Sequence, residues 1–118
     1  MIVKNKTGVW GEVFAARYLR DNKYKILTTN YSTRYGEIDI IAEKNETVCF
    51  IEVKTRGLNP MFSPSEAVDG DKQRRIKICA EAFISGFEIR EAVQFDVCEV
   101  WLNDNFTLSE INYIENAF

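Results

Sequence analysis

Two nearly all-apolar segments, each broken by one carboxylate, constrain this chain more than anything else in it. Glu37–Glu43 carries apolar residues at 38, 40, 41 and 42, and Thr47–Val53 carries them at 48 to 51 and 53. Short apolar runs bounded by polar turn residues read as strands. Apolar side chains at both odd and even positions require cover on both faces, so these are central strands. Lys44-Asn45-Glu46 between them reads as a tight hairpin connection. Asp39 and Glu52 are then ionisable groups in a place where an uncompensated charge is costly.

The rest of the chain supplies the cover. Residues 7–22 read as a helix with Thr7 or Asn5 as N-cap. At a helical spacing Trp10, Phe14 and Tyr18 share one side, and Glu12, Ala16 and Leu19 fall beside Ala15 on an adjoining arc. Glu12 is thus a carboxylate in an apolar sector. Residues 24–30 read as a first strand and 32–36 as a turn. Residues 57–64, with both prolines, read as irregular. A helix is expected over 65–85, interrupted near Gly70, with Val68, Lys72, Ile76, Cys79 and Phe83 facing inward. Lys72 is therefore a charge on an apolar stripe. Ala92–Leu102 reads as a strand and Phe106–Ile114 as a final edge strand. The order α-β-β-β-α-β-β gives an α/β chain: a mixed sheet of about five strands flanked by helices. The crossover helix makes the third and fourth strands parallel. At 118 residues, one compact domain spanning 1–118 is expected.

Composition removes whole classes of chemistry. Histidine is absent, which excludes Ser-His and Cys-His hydrolases and HNH-type nucleases. The three cysteines, Cys49, Cys79 and Cys98, lack metal-ligand spacing and sit beside apolar residues, as inert core thiols do. No apolar run is long enough for a membrane span, and Met1–Lys6 is not followed by the apolar stretch of a signal peptide. The cytoplasm is the expected compartment. The net charge is −3, but residues 54–77 carry six basic groups against three acidic ones, and residues 78–118 one against eight. Arg56, Lys72, Arg74, Arg75 and Lys77 make the middle locally basic: either a solvated helix face or a phosphate-contacting patch.

Counted outward from Asn45, Asp39 lies six residues back and Glu52 seven forward, near-opposite across an antiparallel pair. Two carboxylates about 4 Å apart repel by roughly 4 kcal/mol at an intermediate dielectric. A divalent cation turns that repulsion into binding, and Mg²⁺ favours one or two carboxylates plus water and phosphate oxygens. Lys54, two residues beyond Glu52, leaves the strand on the same face, where it can orient a water or stabilise charge on a phosphoryl group. The competing reading is a buried ion pair in which Lys54 merely compensates Glu52.

Gly36-Glu37-Ile38-Asp39-Ile40-Ile41-Ala42 followed by Phe50-Ile51-Glu52-Val53-Lys54-Thr55-Arg56 resembles the YraN-like family, an uncharacterised bacterial family described as endonuclease-like. The resemblance extends to Gly8, Gly11-Glu12, Leu19 and Asn30, to Glu66-Ala67-Val68, Lys72 and Ala80, to Phe95-Asp96-Val97 and to Asn116-Ala117-Phe118. It implies the restriction-endonuclease-like fold of PD-(D/E)XK nucleases, with likeness to archaeal Holliday-junction resolvases. By that likeness Asp39 is the first acid, Glu52 the second, Lys54 the lysine, and Glu12 the helix glutamate that approaches the metal. Gln94 and Ser32 stand where the family usually has arginine, which removes positive charge.

The function expected from this is a Mg²⁺- or Mn²⁺-dependent endonuclease acting on DNA, branched or processed DNA included. Asp39, Glu52 and the Val53 carbonyl would hold metal, Lys54 would position water and Glu12 would assist. Arg56, Lys72, Arg74 and Arg75 would contact phosphate. The alternative is a nucleic-acid-binding or protein-interaction module on the same fold that cuts little. A third reading is a subunit that needs a second copy, in a homodimer, or a partner protein to supply DNA-binding surface, with Trp101, Phe106 and Tyr113 as interface or core residues.

Overall fold

The computed structural model describes residues 6–57 and 69–118. Helix α1 spans Lys6–Asp21. Strands β1 (Lys25–Thr33), β2 (Gly36–Lys44) and β3 (Thr47–Gly57) follow, then helix α2 (Gly70–Gly86) and strands β4 (Ala92–Leu102) and β5 (Leu108–Ile114). The five strands form one sheet in the order β1-β2-β3-β4-β5, antiparallel throughout except for the parallel β3–β4 pair. This is the restriction-endonuclease-like core implied by the resemblance.

The β2–β3 connection is tighter than the three residues expected. Asn45 and Glu46 alone make the turn, both at positive φ (51° and 61°), the backbone of a type I′ hairpin. Strand β3 runs four residues past Val53, so Lys54 and Arg56 lie within it. Thr7 is inside α1 rather than capping it, and Asn5 lies outside the described residues. The second helix, expected over 65–85 with an interruption near Gly70, is described over Gly70–Gly86. Asp69 is its N-cap, accepting from the Lys72 N–H at 2.8 Å. The expected earlier turn, with Glu66, Ala67 and Val68, lies outside the described residues.

Each helix covers one face of the sheet. Under α1, Ala15 and Leu19 pack with Ile40, Ala42, Cys49, Ile51, Cys98, Val100 and Leu102. Under α2, Ile76, Cys79, Ala80 and Phe83 pack with Ile38, Ile41, Val48, Phe50 and Val97. The inward arc of α1 is therefore Gly11, Ala15 and Leu19. Of the side shared by Trp10, Phe14 and Tyr18, Trp10 is exposed while Phe14 and Tyr18 pack against the core, because Gly11 brings the helix close to the sheet along its own arc. Trp101, Phe106 and Tyr113 are half-buried, with Phe106 and Tyr113 packed against the α1-side core. All three cysteines are free and buried, and burial pushes the Cys49 and Cys98 thiols up to about 12. None of the described helices is long and apolar enough to cross a membrane.

Gly11 is where the helix meets β3 most closely: a Cβ there would fall 1.8 Å from Thr55 Oγ1 and 3.0 Å from its Cβ. Gly11→Ala should therefore destabilise the protein by about 1–3 kcal/mol despite alanine's better helix propensity. Adding Thr55→Ala should recover part of the loss. Urea unfolding midpoints of the two single variants and the double variant check this, and additive losses would contradict the close contact.

Candidate functional site

The β2–β3 ladder runs from Lys44↔Thr47 to Ile40↔Ile51 and stops there. One residue further along each strand are Asp39 and Glu52. Beyond the last pair, Val53 donates its N–H not to a strand carbonyl but to Asp39 Oδ2, at 2.8 Å. The strands part because β2 changes face at this level. Ile38 packs under α2 and Ile40 under α1, although strict alternation would put both on one side. On the neighbouring strand β1, Tyr31 pairs with Ile38 and Thr29 with Ile40, and Asn30 between them takes φ 52°. Asparagine tolerates that left-handed conformation better than most residues.

The parted strands open a depression of about 210 Å³ lined by Gly36, Glu37, Asp39, Glu52, Lys72, Arg75 and Ile76. The two predicted acids thus share one concavity. Lys54 is close enough to feel Lys72, Glu52 and Asp39. Glu52 is 6% exposed and its carboxylate pairs with Lys72 from the first turn of α2. Lys72, expected as a phosphate contact, is therefore engaged inside the site, and it rather than Lys54 forms the ion pair with Glu52.

The two ends of that pair respond differently. Burial and then the charge of Asp39 push Glu52 from its ordinary 4.5 up to about 7, against the pull of Lys72 and Lys54. Burial draws Lys72 down, but the hydrogen bond and charge of Glu52 outweigh it and hold the lysine above its ordinary value. Glu52 is the deeply buried end, whereas Lys72 keeps 39% of its side chain exposed, which accounts for the asymmetry. Burial, followed by the neighbouring Lys72, lowers Lys54.

The other predicted residues are more dispersed. Glu12 lines a separate and larger groove of about 660 Å³, with Arg20, Asn30 and Ser32, and Glu37 borders both cavities. The charge removed by Ser32 is therefore missing from that groove rather than from the depression holding Asp39 and Glu52. Arg56 is on the same face of β3 as Glu52, but it pairs with Glu99 and lies over Trp101. Arg74 and Arg75 are exposed and both pair with Asp71, and only Arg75 reaches the depression. Gln94 does not face outward: its amide donates to both oxygens of the buried Asp96 at 3.1 Å. Sequence reasoning missed Glu37 as a wall of the depression, and it named Arg75 as a phosphate contact without placing it beside Asp39 and Glu52. The one usable signal was the i, i+3 spacing from Lys72 to Arg75, which puts both on one helix face. Among the described residues no group of three or more acidic, Cys or His side chains is placed to hold a metal ion.

Comparison with known proteins adds a family. The family described as "Uncharacterised protein family UPF0102" matches residues 11–100. A UPF0102 protein of Alkaliphilus oremlandii is 43% identical over 119 residues, covering 98% of this chain and all of its own. One from Syntrophomonas wolfei is 40% identical over 117 residues, covering 98% and 100%. A third, from Caldanaerobacter subterraneus, is 42% identical over 117 residues, covering 98% and 96%.

The raised Glu52 gives a pH prediction. The folded state holds its proton more tightly than the unfolded chain, so its contribution is fully present below about 4.5 and lost as pH rises to about 7. That loss is at most about 3 kcal/mol. In chelator, Glu52→Gln should flatten the fall in melting temperature across this window and leave the protein as stable as wild type or more so at pH 8. Clear destabilisation at pH 8 would instead mark the Glu52–Lys72 pair as a structural requirement.

Proposed function

Since the chain belongs to the UPF0102 family, the YraN-like family of its sequence resemblance, we propose that it is a metal-dependent endonuclease hydrolysing phosphodiester bonds in DNA, branched or processed DNA first among them. The observation that carries this reading is the convergence of Asp39 and Glu52 from two central strands on one depression beside two lysines. That donor set fits Mg²⁺ or Mn²⁺, which take one or two carboxylates and keep other positions for water and phosphate oxygens. Asp39 and Glu52, with the Val53 carbonyl, would hold the ion. When bound it supplies positive charge to a phosphate oxygen and a more acidic water.

The chain's own residues do the rest. Lys54 Nζ orients the attacking water by hydrogen bond and stabilises negative charge growing on the phosphate oxygens. Its lowered proton affinity suits a group that shares a proton with that water. Glu12 assists from the adjoining groove through bound water. Arg75 at the wall of the depression, with Arg74 beside it, contacts the DNA backbone. With a net charge of −3, a second subunit or partner protein would supply the remaining cationic surface. A second reading, a binding or interaction module that cuts little, is favoured by Glu52 already having a cationic partner in Lys72.

Purified protein incubated with linear, nicked, flapped and four-way DNA in Mg²⁺ or Mn²⁺ should cleave at least one branched form. Asp39→Ala should lower that rate by about 100-fold or more. DNA left intact by wild type in both metals, yet still bound, would support the second reading. For the backbone contacts, Arg74→Glu with Arg75→Glu should weaken binding to all sequences alike. Each lost contact should reduce the log–log salt slope by about 0.9 on duplex DNA. An unchanged slope would make this stretch a solvated helix face.

A further inference from the structure

We propose that Lys72 is a built-in stand-in for the divalent cation: it holds Glu52 while the cation is absent and, once displaced, turns to a phosphate oxygen of the DNA. The proposal rests on the metal reading above and goes beyond it by assigning Lys72 two alternating partners.

The geometry has three parts. First, the base of Lys72 is fixed, because its own N–H is held by the Asp69 carboxylate at the start of α2. Second, its ammonium reaches across to Glu52 in the depression that Asp39 and Arg75 also line. Third, the two ends differ in freedom. Glu52 is 6% exposed and cannot leave, whereas Lys72 is 39% exposed and can swing toward solvent without moving the helix.

Charge balance says why it would move. Glu37, Asp39 and Glu52 ionised against Lys54, Lys72 and Arg75 make a neutral depression. A dication added to that set leaves an excess of two positive charges, with Lys72 held closest to the carboxylate the ion needs. Lys54 projects from the central strand β3, whereas Lys72 stands on the first turn of α2 in direct contact with Glu52, so Lys72 gives way. An incoming phosphodiester then halves that excess, and its oxygen takes the released ammonium. Metal and DNA would in this way favour each other's binding, as linked ligands do.

The test is Mn²⁺ binding by isothermal calorimetry to wild type, Lys72→Gln and Lys72→Met, without DNA. Lys72→Gln keeps a hydrogen-bond donor for Glu52 and covers the case in which Lys72→Met fails to fold. Removing the competing ammonium should tighten Mn²⁺ binding by about ten-fold, whereas Lys72→Arg should resemble wild type. In Ca²⁺, fluorescein-labelled four-way DNA should bind Lys72→Gln more weakly than wild type, with a salt slope lower by about one contact. Equal or weaker Mn²⁺ binding by Lys72→Gln, with wild type still binding Mn²⁺, overturns the stand-in role and leaves the metal reading intact. Absence of Mn²⁺ binding from every protein overturns both.

Discussion

The hydrogen bond from the Val53 N–H to Asp39 Oδ2 marks the place on which the rest of the site depends. Two central strands that stayed paired would satisfy each other's backbone groups and leave no gap between them. Here the ladder ends at Ile40↔Ile51, and a side-chain carboxylate takes the donor that the ladder no longer satisfies. The switch of face between Ile38 and Ile40 lets β2 fill both hydrophobic layers while it turns away. The depression is thus opened by the packing of its own strand.

Two buried carboxylates of the sheet show how differently such a charge can be housed. Asp96, fully buried on β4, is saturated by neutral donors: the Gln94 amide, the Tyr113 hydroxyl and the Asn116 N–H. These tie the edge strand and the segment after it to the core. Glu52 instead faces one acid and two lysines and is driven up to about 7. A carboxylate enclosed by polar neutral groups suits architecture. One left beside a like charge, with a half-exposed ammonium as partner, has the perturbed proton affinity that clusters at functional sites.

Much of this was legible in the sequence, for reasons that can be named. The apolar character of residues 38–42 and 48–53, broken only at Asp39 and Glu52, dictated two central strands, and the crossover dictated that β3 and β4 be parallel. Counting across a short turn placed Asp39 opposite Glu52, because antiparallel register depends on turn length alone over so few residues. The inertness of the cysteines followed from their apolar neighbours. Less legible was which arc of α1 lies deepest. Periodicity groups Trp10, Phe14 and Tyr18 on one side and Ala15, Ala16 and Leu19 beside them. The close approach at Gly11 sets Gly11, Ala15 and Leu19 against the sheet.

The sequence by itself determined that a charge lay on each of two buried strands and on the apolar stripe of the second helix. Local periodicity suffices for that, since it depends only on residues a few positions apart. Which charge met which was decided by the tertiary structure alone. Lys72 and Glu52 are twenty residues apart in sequence and meet because α2, with its N-cap at Asp69, packs against β2 beside Glu52 of β3. Arg56 turned to Glu99 because strand register fixes neighbours across the sheet that no local pattern records. Long-range pairing is the one property that no window of a few residues can encode.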